Sequence, residues 1–139
     1  MSRFSLIPAQ DLALLQRCRY LSESISGLHR VLPSSETVAA LETLGVDNLP
    51  LNTPRKVRRK LTTILRCKML LDERQAEFDR IACQAECAAH RIKNHNLRRI
   101  AKLYCLDGKN VREIVQECSV TTDTVYRWLK VLNRPPETA

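Results

Sequence analysis

A chain of 139 residues that is 44% hydrophobic but only 4% aromatic can bury a modest core, in one domain or in one domain with an appendage. Its three glycines and scarce β-branched runs favour helix over sheet, and no apolar run approaches the ~20 residues that cross a bilayer, so a membrane partner is not expected. The net charge of +8 points to a polyanionic partner, while the lack of a nucleophile–base pair, a phosphate-binding glycine loop or an acidic metal cluster argues against an enzyme and against a cofactor.

The charge is unevenly placed. Residues 51–71 hold seven Lys/Arg and no acidic side chain, residues 72–87 hold five acidic against two basic, and residues 88–139 hold ten basic against five acidic. Met1–Gln10 lacks the charged head and apolar stretch of a signal peptide, which leads us to expect a cytoplasmic protein. In that reducing setting the six cysteines read as free thiols.

In chain order, Pro8 suits the first turn of a helix. Leu14, Cys18, Leu21, Ile25 and Leu28 then recur at helical spacing, predicting one amphipathic helix to about Val31, ended by Leu32-Pro33. A short second helix follows, capped by Ser34 or Ser35, with Val38, Leu41 and Leu44 inward and Gly45 as its stop. Thr53-Pro54 opens a third helix, and neither glycine nor proline occurs again before Gly108. Within it Val57, Leu61, Ile64, Lys68, Leu71, Gln75, Phe78, Ala82, Ala85, Ala89 and Ile92 alternate by four and three, a heptad seam. Such a seam is covered either by a second copy in a coiled-coil homodimer or by the chain's own N-terminal helices folding back. Asn94-His95-Asn96 marks a break, and Leu97, Ile100, Ala101 and Tyr104 begin a further amphipathic helix.

Cys83, Cys87 and His90 share roughly one face of the long helix and could offer three ligands to a thiophilic metal. Small thiols packed beside the alanines account for the same spacing, and no metal is assigned. Cys18, Cys67, Cys105 and Cys118 read as core fillers.

The segment Asn110–Val131 carries the functional reading. Asn110-x-x-Glu113 has the form of a capping box. Ile114, Val115 and Cys118 face inward, Val120 follows a turn at Ser119, and Thr121 caps a second helix whose inner side holds Val125 and Trp128, with Leu129 or Leu132. This pattern resembles the helix-turn-helix of sigma-factor region 4, DNA invertases and many phage repressors, over about Leu97–Leu132. Val115 stands where that family usually has alanine, and Ser119 where glycine commonly takes a left-handed conformation. The whole chain is also similar in architecture to phage late-gene activators, which would imply a phage or mobile-element regulator.

The fold expected is therefore all-α: an N-terminal helical region (1–52), a long basic, coiled-coil-like helix suited to dimerisation (53–95), a tri-helical helix-turn-helix domain (96–132) and a disordered tail (133–139). The resemblance implies that the helix 121–131 reads the major groove of double-stranded DNA. The expected DNA-binding residues are Thr121, Thr122, Asp123, Tyr126, Arg127 and Lys130, with Lys109 and Arg112, and the basic block Arg55, Lys56, Arg58 and Arg59 as a second contact. The function expected is a sequence-specific transcriptional regulator, with a second copy and a protein bound through the N-terminal helices as its expected protein partners. The alternatives are a phage-type inhibitor or adaptor, or an accessory protein of DNA packaging or recombination.

Overall fold

The computed structural model describes residues 6–135, and among these every regular element is helical. Six α-helices follow one another: α1 (Ala9–Val31), α2 (Ser35–Leu44), α3 (Arg55–His90), α4 (His95–Ala101), α5 (Val111–Cys118) and α6 (Thr122–Leu132). None is long and apolar enough to cross a membrane. Of the tail expected to be disordered, Asn133–Pro135 are described, with Asn133 N–H donating to Leu129 O; residues 136–139 lie outside the described residues.

Local chemistry sets the helix ends. Pro8 O accepts from Leu12 N–H at 2.9 Å, starting α1, and the chain leaves helix just ahead of Pro33. Ser34 Oγ accepts from Thr37 N–H to cap α2, which stops at Gly45, a residue with φ of 76°. Pro54 O starts α3 by accepting from Val57 and Arg58 N–H. With 36 residues α3 extends about 54 Å at 1.5 Å per residue. Asn94 Oδ1, accepting from Leu97 N–H at 3.0 Å, turns the expected break into the cap of α4.

The chain forms two compact units: Met1–Glu23 with Glu77–Ala139, and Ser24–Ala76. In the first, α1 contributes Leu12, Leu15 and Cys18, α3 contributes Ala85, Ala88 and Ala89, and the C-terminal helices contribute Leu97, Ile100, Cys105, Ile114, Val125, Leu129 and Leu132 to one core. The buried stripe of α1 is thus Leu12–Leu15–Cys18–Leu21; Leu14, expected inside, is half-buried. Leu12, Leu15 and Cys18 share that core with residues of α3 and α6, and Leu14 packs at its margin. Within this core Ala85, Ala89 and Ile92 of the heptad seam are covered by the chain itself.

Four polar residues of α1 reinforce the packing. Arg17 grips Glu77 through two hydrogen bonds of 2.6 Å. Gln16 Nε2 donates to Leu132 O, the last carbonyl of α6, and to Arg134 O just beyond it. Arg19 donates to Tyr104 O and Lys109 O while its guanidinium lies 4.0 Å from the centroid of the Tyr104 ring. Near the start of α1, Asp11 accepts two hydrogen bonds from Arg91.

Arg19 holds an irregular segment. After α4 the helix widens into a π-turn, Lys102–Leu106, with Asp107 N–H donating to Lys102 O. Gly108, at φ 68°, reverses the chain and lets Lys109 N–H reach Leu103 O. A Cβ at Gly108 would also collide with Ser22 Oγ. Two costs therefore oppose a side chain there, a left-handed backbone and a steric clash.

In the second unit α2 and the first half of α3 bury only two hydrophobic side chains, Val38 and Leu71. Lys68, in the seam, is half-buried and pairs with Asp72 at 2.6 Å. Gln75 stays exposed.

Two expectations follow. Gly108→Ala should destabilise the protein in urea unfolding by about 1 kcal/mol from backbone conformation, plus the steric cost; adding Ser22→Ala should recover the steric part alone. Burial pushes the Cys105 thiol up to about 12, and burial with Glu77 nearby pushes Cys18 up to about 11. Both stay protonated at pH 8, so iodoacetamide should label exposed Cys83 and Cys87 first, and Cys18 and Cys105 only upon unfolding, as peptide mass mapping would read.

Candidate nucleic-acid interface

Helices α4, α5 and α6 pack on one another in the first unit. The entry to α5 is a reciprocal capping box: Asn110 Oδ1 accepts from Glu113 N–H at 2.9 Å, and Glu113 Oε1 accepts from Asn110 N–H at 3.1 Å. Ser119 ends α5 with φ 54° and ψ 40°, the one positive-φ residue other than glycine among the described residues. The left-handed turn is made despite the serine, at a cost of about 1 kcal/mol. Thr121 Oγ1 then accepts from Thr124 N–H at 3.2 Å and opens α6.

The inner faces are apolar. Ile114 and Val125 have no exposure, Leu129 and Leu132 are buried, and Val115, Cys118, Val120 and Trp128 pack half-buried against the same core. Arg99 Nη2 donates to Glu117 O near the end of α5, and Lys109 Nζ lies 3.4 Å from Glu117 Oε1.

What remains outside on α6 is Thr122, Asp123, Tyr126, Arg127 and Lys130, all exposed, with Thr121 exposed at its start. Tyr126 keeps 53% of its surface in solvent, high for an aromatic side chain. Arg127 and Lys130, with Arg112 on α5, make no hydrogen bond or ion pair with any described residue. Three cations are thus available to an external anion from this helix pair, whereas Lys109 is half-buried and committed to Glu117. Asp123 sits in the first turn of α6, where the helix dipole favours its charge.

In the second unit Arg55, Lys56 and Arg59 are exposed on α3, but Arg58 is half-buried and its Nη2 donates to Pro50 O at 2.8 Å. Cys83, Cys87 and His90 are all exposed; His90 Nε2 stands 3.9 Å from Glu86 Oε1. No group of three or more His, Cys, Asp and Glu among the described residues could hold a metal ion.

Sequence reasoning missed the cleft beside α6. It has a volume of about 440 Å³ and is lined by Arg19, Tyr104, Asn110, Tyr126, Lys130 and Asn133 among others. Arg19 gave no local signal because its partners lie 85 and 90 residues away. Asn133 gave none because its bond to the Tyr104 hydroxyl is also tertiary.

Ser119→Gly should relieve the turn and raise stability by about 1 kcal/mol, while Thr121→Ala should lower it by about 1 kcal/mol through loss of the cap. Urea midpoints at unchanged slope would check both. Comparison with protein-family models, with curated proteins and with solved structures gave no match, so residues and geometry alone carry the functional reading.

Proposed function

We propose that this protein is a helix-turn-helix, sequence-specific DNA-binding regulator of transcription that reads the major groove with α6. The observation that carries the reading is the division of α6 into two faces: Val125, Leu129 and Leu132 are buried, and Thr122, Asp123, Tyr126, Arg127 and Lys130 stand outward. A helix of 11 residues whose outer face makes no hydrogen bond or ion pair with any described residue can enter a groove about 12 Å wide.

Arg127 is the base reader, with a guanidinium able to bridge O6 and N7 of a guanine. Thr122 can meet a thymine methyl, and Asp123 can accept from cytosine N4 while repelling a misplaced phosphate. Tyr126, Lys130 and Arg112 serve the backbone, and the N–H groups at the start of α6 add a site suited to phosphate. Lys109 contributes less than its charge suggested, since Glu117 neutralises it. A pair of copies bound to a two-fold operator would meet elsewhere than on Ala85, Ala89 and Ile92, which the chain itself covers.

Sites would be found by enriching bound fragments from random DNA. On the best site, binding should weaken steeply with salt, and Lys130→Ala should reduce the log–log salt slope by about 1. Arg127→Ala should cost about 1–3 kcal/mol on that site while leaving random DNA nearly unaffected. Equal losses on both would remove Arg127 from base readout, and no enriched sequence at all would remove the regulator reading.

A further inference from the structure

We propose that the second unit is a docking surface for an acidic amphipathic helix of another protein. Val57, Leu61 and Ile64 occupy one stripe of α3; Val57 is 43% exposed, and the other two are half-buried. In the same heptad stripe Leu71 lies further along, at a groove of about 270 Å³ walled by Leu32, Pro33, Val38 and Ala39. Unlike the Ala85–Ile92 end of the seam, this end has no full cover among the described residues.

The occupant is decided by charge and apolarity together. Seven basic and no acidic side chains lie in residues 51–71, and Lys60 falls beside the stripe at helical spacing. Among the described residues Glu42 is the only acid lining the groove, set against Lys68 on the other wall. A second copy would bring another all-basic segment to the same place, within the ~8 Å over which charges act at physiological salt. Duplex DNA would answer the charge but bury none of Val57, Leu61 and Ile64. A helix with leucines on one side and glutamates flanking them answers both. No residue of α6 belongs to the second unit, so the inference stands independently of the DNA-binding reading.

The test uses the full chain and a fluorescent synthetic peptide of about 20 residues, long enough to form a helix. It carries leucine at i, i+3, i+4 and i+7 and glutamate elsewhere. Its control has the same composition with the leucines scattered around the helix. Anisotropy titration should show the ordered peptide binding at least about tenfold more tightly than the control, since only it presents a continuous apolar face. Lys56→Glu with Lys60→Glu should weaken binding about tenfold. Val57→Ser should weaken it with helicity unchanged by circular dichroism, and Arg127→Ala should leave it as it was. Equal binding of the two peptides would overturn the proposal, leaving charge alone. So would a dimer, seen by light scattering, that Val57→Ser converts to monomer without peptide binding, which would give the stripe to a second copy. Displacement of the ordered peptide by random duplex, with a duplex affinity sensitive to the lysines and indifferent to Val57, would overturn it in favour of nucleic acid.

Discussion

The C-terminal helices depend on the packing of the first four turns of α1 against the alanine-rich end of α3. Ala85, Ala88 and Ala89 have no exposure, and their small side chains leave room for Leu12, Leu15 and Cys18 in the same core. That apolar contact is undirected, so polar groups set its register. Arg17 on Glu77 and Arg91 on Asp11 join α1 to the α3 end of the core, and Gln16 and Arg19 tie it to the C-terminal helices. Exposed ion pairs contribute little individually. Their value here is positional, because each fixes where one helix stops sliding along another.

The same arrangement explains why α5 and α6 can leave their outer residues uncommitted. Both helices are short, and isolated helices of that length are marginal in water. Caps at Asn110 and Thr121 satisfy their first N–H groups, and burial of Ile114, Val125 and Leu132 supplies the remaining stability. With the fold secured on the inside, Arg112, Arg127 and Lys130 are not needed to hold it together.

Much of this was legible in the sequence, and for a local reason. Pro8, Leu32-Pro33, Gly45, Thr53-Pro54, Asn110 with Glu113, Ser119 and Thr121 act on backbone within one turn of themselves, so the chain states their effect directly. The outer face of α6 was legible too, because it is the complement of an apolar pattern. The side of α1 that is buried was not, since Leu14 and Leu15 differ only in what they happen to meet. Heptad spacing told that α3 has a stripe, but periodicity contains no information on which molecule covers it. The π-turn at Lys102–Leu106 is held by Arg19 from the far end of the chain, and Lys109 and Arg58 find Glu117 and Pro50 beyond their own helical turns; none of these left a mark in composition or spacing.

The bond from Gln16 to Leu132 O joins residues 116 apart in the chain. On the ribosome, α1 is made first and its apolar stripe must wait for partners near the other end. The core that holds α5 and α6 therefore closes only after synthesis has passed Leu132, and a fragment containing 96–132 alone would lack the surface on which those helices rest. For this protein, the part that looks most like a portable module is the part least able to travel.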